Sequence, residues 1–245
     1  MRSVLAALTL ASVLSEFACA QGGVVTVPFV GCPADGQVGP IAPPSGPSQV
    51  VRLDPATALQ LAYYKGENAR GVFAPRGWHC QVKYGSSGSS ILVSSVTINS
   101  GNFAPLNLHD HAVEFVFLDG GTSGRFGVAR YASRLFPKVA ASFVERVKSE
   151  GIEPTADFEI GPYVNDSIRY SDSLSLEFMT PATKIGIGTE GDLAPSQDLI
   201  RGFVVLDPTG DWGLSLLRVR VGVDTAQVAA AIIRLNRQCL SSDRC

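Results

Sequence analysis

The sequence predicts an α+β fold: a single domain with an antiparallel or mixed sheet and helices packed on it. Strand-like runs follow one another without an intervening helix, which argues against a purely alternating βα pattern. Hydrophobic residues make up 45% of the 245 and charged residues 17%, enough apolar material for a core and too little charge for disorder. The C-terminal third holds two β runs joined by a tight-turn sequence and followed by an amphipathic helix.

The chain opens with the marks of a secretory signal, expected over residues 1–20. Arg2 is a short positive region, 4–14 is apolar, and Ala18-Cys19-Ala20 offers small residues for cleavage after Ala20. A lipidated Cys19 is the alternative, but Glu16 stands where such sites carry an aliphatic residue. No later stretch reaches the roughly 18 apolar residues that a membrane span requires, so no transmembrane helix is expected after cleavage.

Four cysteines then remain: Cys32, Cys80, Cys239 and Cys245. An even count in an exported chain favours two disulfides. Of the three possible pairings, Cys32–Cys80 and Cys239–Cys245 are favoured, the first pinning an N-terminal arm and the second closing a small loop. A Cys/His metal site with His79 is the alternative, unsupported by ligand spacing.

Residues 21–49 read as a Pro/Gly-rich arm, and 50–245 as the α+β domain. Five prolines and three glycines over 33–48 predict a polyproline-like path, anchored at Cys32, without helix or ladder pairing. Asp54 and Pro55 open a helix whose apolar face is Ala58, Leu59, Leu61, Ala62 and Tyr63, closed by Gly66. Strand runs follow at 71–74, 78–84 and 91–98, with a hairpin loop at 85–88. Residues 111–118 form an apolar strand that runs into a Gly-rich loop and a helix over 125–135. Pro137 interrupts, and a second helix spans 138–150 with Val139, Phe143 and Val147 on one face and Gly151 as its stop. Leu174, Leu176 and Phe178 alternate with polar residues, a half-buried strand. The runs 200–206 and 212–221 are joined by Asp207-Pro208-Thr209-Gly210-Asp211, a turn sequence. Asp224 and Gln227 make a capping-box pair for a last helix with the stripe Val228, Ile232, Leu235 and Cys239. This element order is similar to the α/β sandwich of the extrinsic photosystem PsbP-like proteins, where a Gly-Trp step also precedes a strand and a hairpin and helix end the chain.

Two stretches stand out as candidate sites. His109-Asp110-His111 on a strand would place both imidazoles on one face, half of a zinc or copper site. Gly120, Gly121, Thr122, Ser123, Gly124 and Arg125 lead from a strand into a helix, where loop amides and the arginine suit a phosphate or carboxylate ligand. The same glycines also fit a plain turn with Thr122 or Ser123 capping the helix. Neither nucleotide fingerprint nor the G-x-S-x-G elbow is present. Glu153, Asp157 and Glu159 read as a solvated polar loop, and Trp78 and Trp212 as core residues.

Val27-Pro28-Phe29-Val30-Gly31-Cys32-Pro33, Asp35-Gly36-Gln37, Gly71-Val72-Phe73-Ala74-Pro75-Arg76-Gly77-Trp78-His79-Cys80, Gly121-Thr122-Ser123-Gly124-Arg125-Phe126 and Arg201-Gly202 together resemble a group of secreted bacterial proteins with no assigned activity. The resemblance implies export and a bacterial envelope setting, and it transfers no functional residue.

With a net charge of −2 and scattered Lys and Arg, a nucleic-acid partner is not expected. Three histidines leave little acid–base equipment near neutral pH. The expectation is a secreted or periplasmic, non-catalytic binding or envelope-associated protein with no cofactor. Its partner would be a small molecule, a glycan or a protein. The alternative is an extracellular hydrolase or metal-dependent enzyme using the His109/His111 region.

Overall fold

The computed structural model describes residues 23–98 and 105–242. The expected signal peptide, Cys19 and Cys245 lie outside the described residues.

In chain order, β1 (Gly23–Val27), β2 (Phe29–Gly31), β3 (Ala34–Gly36) and β4 (Gln49–Leu53) lead into a one-turn helix, α1 (Pro55–Ala58). Then come β5 (Leu61–Lys65), β6 (Val72–Pro75), β7 (His79–Gly85), β8 (Gly88–Ser94) and β9 (Ala112–Asp119). The helices α2 (Arg125–Leu135) and α3 (Ala141–Ser149) precede β10 (Ser167–Tyr170), β11 (Ser175–Thr180), β12 (Ile200–Asp207) and β13 (Gly213–Arg220), and α4 (Ala226–Ser242) follows. Eight strands make one sheet in the order β10-β11-β12-β13-β9-β8-β7-β3. It is antiparallel except where β3 joins β7 in parallel, so the α+β expectation with a mixed sheet is met. Two small sheets, β1–β4 and β2–β5–β6, complete the strands.

Side-chain alternation distributes this sheet between two cores. On β13, Leu217 and Val219 join Ile91, Val93, Val113, Phe115 and Phe203 beneath α4 and the β5–β6 strands. Leu214 and Leu216 point the other way, with Leu92, Leu176, Val204 and Leu206, beneath α2 and α3. Because both faces are covered, β13 is buried along its whole length. Coverage is uneven, however. α2 and α3 pack over the β9-β13-β12-β11 side, and farther out on the same face Lys83 of β7 and Ser90 of β8 line a cleft. On the opposite face α4 and the small sheets cover the centre and the β7–β8 side, and the outer strands β10, β11 and β12 border a second groove.

Several elements depart from the sequence expectation. The helix expected from Asp54 to Gly66 is one turn long. Asp54 caps it as expected, its Oδ2 accepting from Thr57 N at 2.9 Å. Leu61, Ala62, Tyr63 and Tyr64 are all buried, which a helix with one apolar face does not allow but a strand between two partners does. Tyr63 meets Phe29 on one side and Phe73 on the other, with ring centroids 6.1 and 5.0 Å apart. The N-terminal arm is woven into the fold: β1 pairs with β4, β2 with β5, and β3 with β7. The ladder that the prolines were expected to exclude forms on Ala34-Asp35-Gly36, a proline-free triplet that keeps its N–H donors. The second helix begins at Ala141, leaving Val139 exposed, and its buried face is Phe143, Val144 and Val147. Trp212 stacks on Phe143 at 4.9 Å, and Trp78 packs against the α4-side core.

Cys32 and Cys80 form a disulfide across 48 residues, tying the β2–β3 junction to β7. Cys239 is also disulfide-bonded; its expected partner, Cys245, lies outside the described residues. Among the described residues no helix is long and apolar enough to cross a membrane. For a loop of 48 residues, chain entropy alone gives the Cys32–Cys80 link about 4 kcal/mol. The Cys32→Ser/Cys80→Ser variant is therefore expected to melt roughly 10 °C lower, as read by differential scanning calorimetry at neutral pH.

Candidate functional site

β9 and β13 are central strands with apolar neighbours on both faces, yet each carries charge in its middle. Glu114 and Arg218 stand directly opposite one another in the ladder, and two residues on lies Arg220. Their exposures are 2%, 1% and 0%. A buried ion costs several kcal/mol of lost hydration unless it is fully paired, and here the pairing is close to complete.

Arg218 Nη1 donates to Glu114 Oε2 at 2.8 Å, its Nη2 to the Tyr131 hydroxyl at 2.8 Å and its Nε to Ile187 O at 2.8 Å. Glu114 Oε1 also accepts from Asp192 N at 3.3 Å. Burial alone would weaken the Arg218 charge, but the Tyr131 and Glu114 oxygens beside it outweigh that and hold its pKa above the ordinary value. Burial pushes the Tyr131 phenol up to about 12. Next to this pair, Asp192 receives Lys83 Nζ at 3.0 Å and the Leu106 amide at 3.1 Å. Glu190 is held by Arg134 at 2.7 Å and by the Tyr163 hydroxyl at 2.6 Å, and Arg134 lies 3.4 Å over the Tyr163 ring. Burial, then the neighbouring Tyr131 and Glu190 oxygens, raise the Tyr163 pKa.

Lys83, Glu114, Tyr131, Glu190, Asp192 and Arg218 form the floor and one wall of a cleft of about 710 Å³ on the α2 face. The 190–192 loop, α2 and the Ser-rich β7–β8 hairpin, with Ser86, Ser87, Ser89 and Ser90, make its sides. Gly191 is needed at the wall: its φ is +144°, and a Cβ would sit 2.6 Å from Arg218 Nη1 and 2.9 Å from the Glu114 carboxylate. The result is a set of fixed donors and acceptors. Tyr131 stays protonated at physiological pH, and the charges of Glu114 and Asp192 stand paired with Arg218 and Lys83.

The two candidate stretches sit elsewhere. His109 Nδ1 lies 2.8 Å from Pro195 O and His111 Nε2 3.0 Å from Asp198 Oδ2, so the imidazoles take separate partners along the 192–198 segment, and both precede the strand that was expected to carry them. That segment is fastened by Arg220, which donates to Leu108 O at 2.8 Å, to Asp110 O at 3.2 Å and to Ala194 O. Among the described residues no three His, Cys, Asp or Glu side chains converge as a metal site.

The Gly-rich loop is a packing platform. Gly120 N donates to Trp212 O, Gly121 N to Asp119 Oδ1, Gly124 N to Thr122 Oγ1 and Arg125 N to Thr122 O. Arg125 clasps Glu150 through Nε and Nη2 at 2.7–3.0 Å, and Ser123 Oγ meets Ser86 Oγ at 2.9 Å. A Cβ on Gly120 would strike Trp212 O at 2.2 Å, and one on Gly124 would strike Ser87 O at 2.2 Å. Close approach, not positive φ, explains these glycines. Glu153 and Asp157 pair with Arg130 and Glu159 with Lys148, so that loop is held rather than merely solvated.

The cleft residues escaped sequence reading, although a signal was present. A Glu inside AVEFVF and two Arg inside LLRVRV are charges in runs that read as buried on both faces, and such charges need partners. No family model, curated protein or solved structure matches the chain.

Replacing Glu114 by Ala leaves Arg218 buried and unpaired. A loss of about 3–5 kcal/mol is expected, measured by urea denaturation, with much of it regained in the Glu114→Ala/Arg218→Met double variant. Alkaline stability gives a second check. Tyr131 and Tyr63 both have native pKa values of about 12, above the unfolded value near 10. Their contribution is thus intact below pH 10 and is lost as pH rises towards 12, because the unfolded chain ionises first. The melting temperature is expected to fall more steeply between pH 10 and 12 in the parent than in Tyr131→Phe.

Proposed function

We propose that this chain is a non-catalytic, extracytoplasmic binding protein whose α2-side cleft takes a small polyhydroxylated ligand, a saccharide or polyol. The observation that carries this reading is the cleft wall of Ser86, Ser87, Ser89 and Ser90 beside the Lys83–Asp192 pair, with the buried Arg218–Glu114 pair beneath. A sugar hydroxyl both donates and accepts. It is matched by serine hydroxyls, which do the same, and by a carboxylate beside a cation such as Asp192 with Lys83. A strongly charged ligand would gain little over a floor whose charges already cancel in pairs.

The extracytoplasmic setting is supported by the Cys32–Cys80 disulfide, since such links persist outside reducing compartments, and by the leader-like first 20 residues.

Titration calorimetry with a panel of mono- and disaccharides tests the reading. At least one sugar is expected to bind saturably. Ser90→Leu, which fills the cleft without breaking an ion pair, is expected to weaken that binding by about tenfold or more, roughly 1.4 kcal/mol, with an unchanged melting temperature. Absence of heat for every sugar, or equal affinity in Ser90→Leu, overturns it.

A further inference from the structure

The second groove lies on the other face of the sheet, between α4 and the outer strands β10 to β12, with a volume of about 800 Å³. Helical spacing explains one wall. Ala230, Ile233, Arg237 and Ser241 follow one another at three- and four-residue steps along α4, with Arg234 one turn on from Ala230, beside the stripe of Val228, Ile232 and Leu235 that packs on the sheet. Strand pairing explains the other wall: Arg169 stands opposite Glu177, and Met179 opposite Arg201.

The charge in this groove is one-sided. Among the described residues, four guanidiniums, those of Arg169, Arg201, Arg234 and Arg237, border it with one carboxylate, Glu177. Glu177 is already taken twice, by Arg169 at 2.6 Å and by Arg237 at 2.8 Å, and Arg237 also donates to Ser171 and Ser175 hydroxyls at 2.9 Å. The guanidiniums of Arg201 and Arg234 have no hydrogen-bond or ion-pair partner among the described residues. Between the arginines the lining is apolar, with Met179, Ala230 and Ile233.

We propose that this groove binds a small amphipathic oxyanion, its head neutralised by Arg201 and Arg234 and its hydrocarbon body laid on Ile233 and Met179. Guanidinium forks suit the planar or tetrahedral oxygens of a carboxylate or phosphate. The apolar lining rewards a hydrocarbon body, which inorganic phosphate does not have. The whole chain carries a net charge of −2, which offers an extended polyanion no general attraction and leaves a local ligand as the better match.

Octyl phosphate below its micellar concentration is the probe, read by titration calorimetry on the parent chain, with inorganic phosphate and octanol as the two half-ligands. Saturable one-to-one binding of octyl phosphate is expected, with each half-ligand at least about tenfold weaker. The Arg201→Gln/Arg234→Gln variant is expected to lose about tenfold or more in affinity at an unchanged melting temperature, both side chains being exposed. Equal affinity in that variant overturns the proposal, as does inorganic phosphate binding as tightly as octyl phosphate. Arginine-dependent association with vesicles of anionic phospholipid, without binding of free octyl phosphate, overturns it in favour of a membrane surface.

Discussion

Two arginines on one face of the central strand β13 make demands that much of the surrounding chain meets. Arg218 and Arg220 are both essentially without solvent contact, and a guanidinium in that position must find oxygen for nearly every N–H. Arg218 finds a carboxylate on the next strand, a carbonyl from the 187 turn and a phenol from α2. Among the described residues Arg220 finds carbonyls, those of Leu108, Asp110 and Ala194. The irregular segments around 105–111 and 187–198 therefore have defined positions. They are bound to the sheet by the hydrogen-bonding needs of two buried cations, and Leu108 and Leu193 add an isolated bridge between them. Buried pairs of this kind contribute little net stability against an apolar replacement, but they disfavour alternative arrangements that would leave a charge alone.

The same constraint shapes the cleft. The Glu114–Arg218 pair cannot be roofed by any side chain at position 191, so the loop passes over it as bare backbone, and Asp192 is turned to meet Lys83. Farther out on the face that α2 and α3 cover, beside Lys83 of β7 and Ser90 of β8, is a recess with a polar floor and hydroxyl-bearing sides. On the far face α4 leaves the opposite end of the sheet uncovered, and there the exposed positions carry arginines instead of compensated pairs. The two open regions, one on each face and at opposite ends of the sheet, thus differ in electrostatic character: one neutral in pairs, the other positive.

The histidines and the Gly-rich loop illustrate how a motif can be structural. His109 and His111 are two residues apart but reach Pro195 and Asp198 separately, since the chain at that point has not yet entered the strand that would align them. The glycines at 120 and 124 allow the β7–β8 hairpin tip and the start of β13 to approach the loop backbone. This approach joins the hairpin to the head of α2, and so fixes one side of the cleft relative to the other.

Local chemistry wrote much of the fold legibly. The helix over 125–135, the β12–β13 hairpin with its Asp-Pro-Thr-Gly-Asp turn, the last helix with its Val228, Ile232 and Leu235 stripe, and the favoured Cys32–Cys80 link all follow from residues within a few positions of one another or from cysteine arithmetic. Capping, turn preference and amphipathic period act over such distances. Tertiary structure alone decided the rest. Leu61 to Tyr64 became a strand because two neighbours, one of them from the N-terminal arm, were there to pair with it. Glu114 and Arg218 stand 104 residues apart in the chain, and nothing in the surroundings of either names the other. A charge within an apolar run announces that a partner is required; only the closing of the sheet, which sets β9 beside β13 in one register, determines which partner it is.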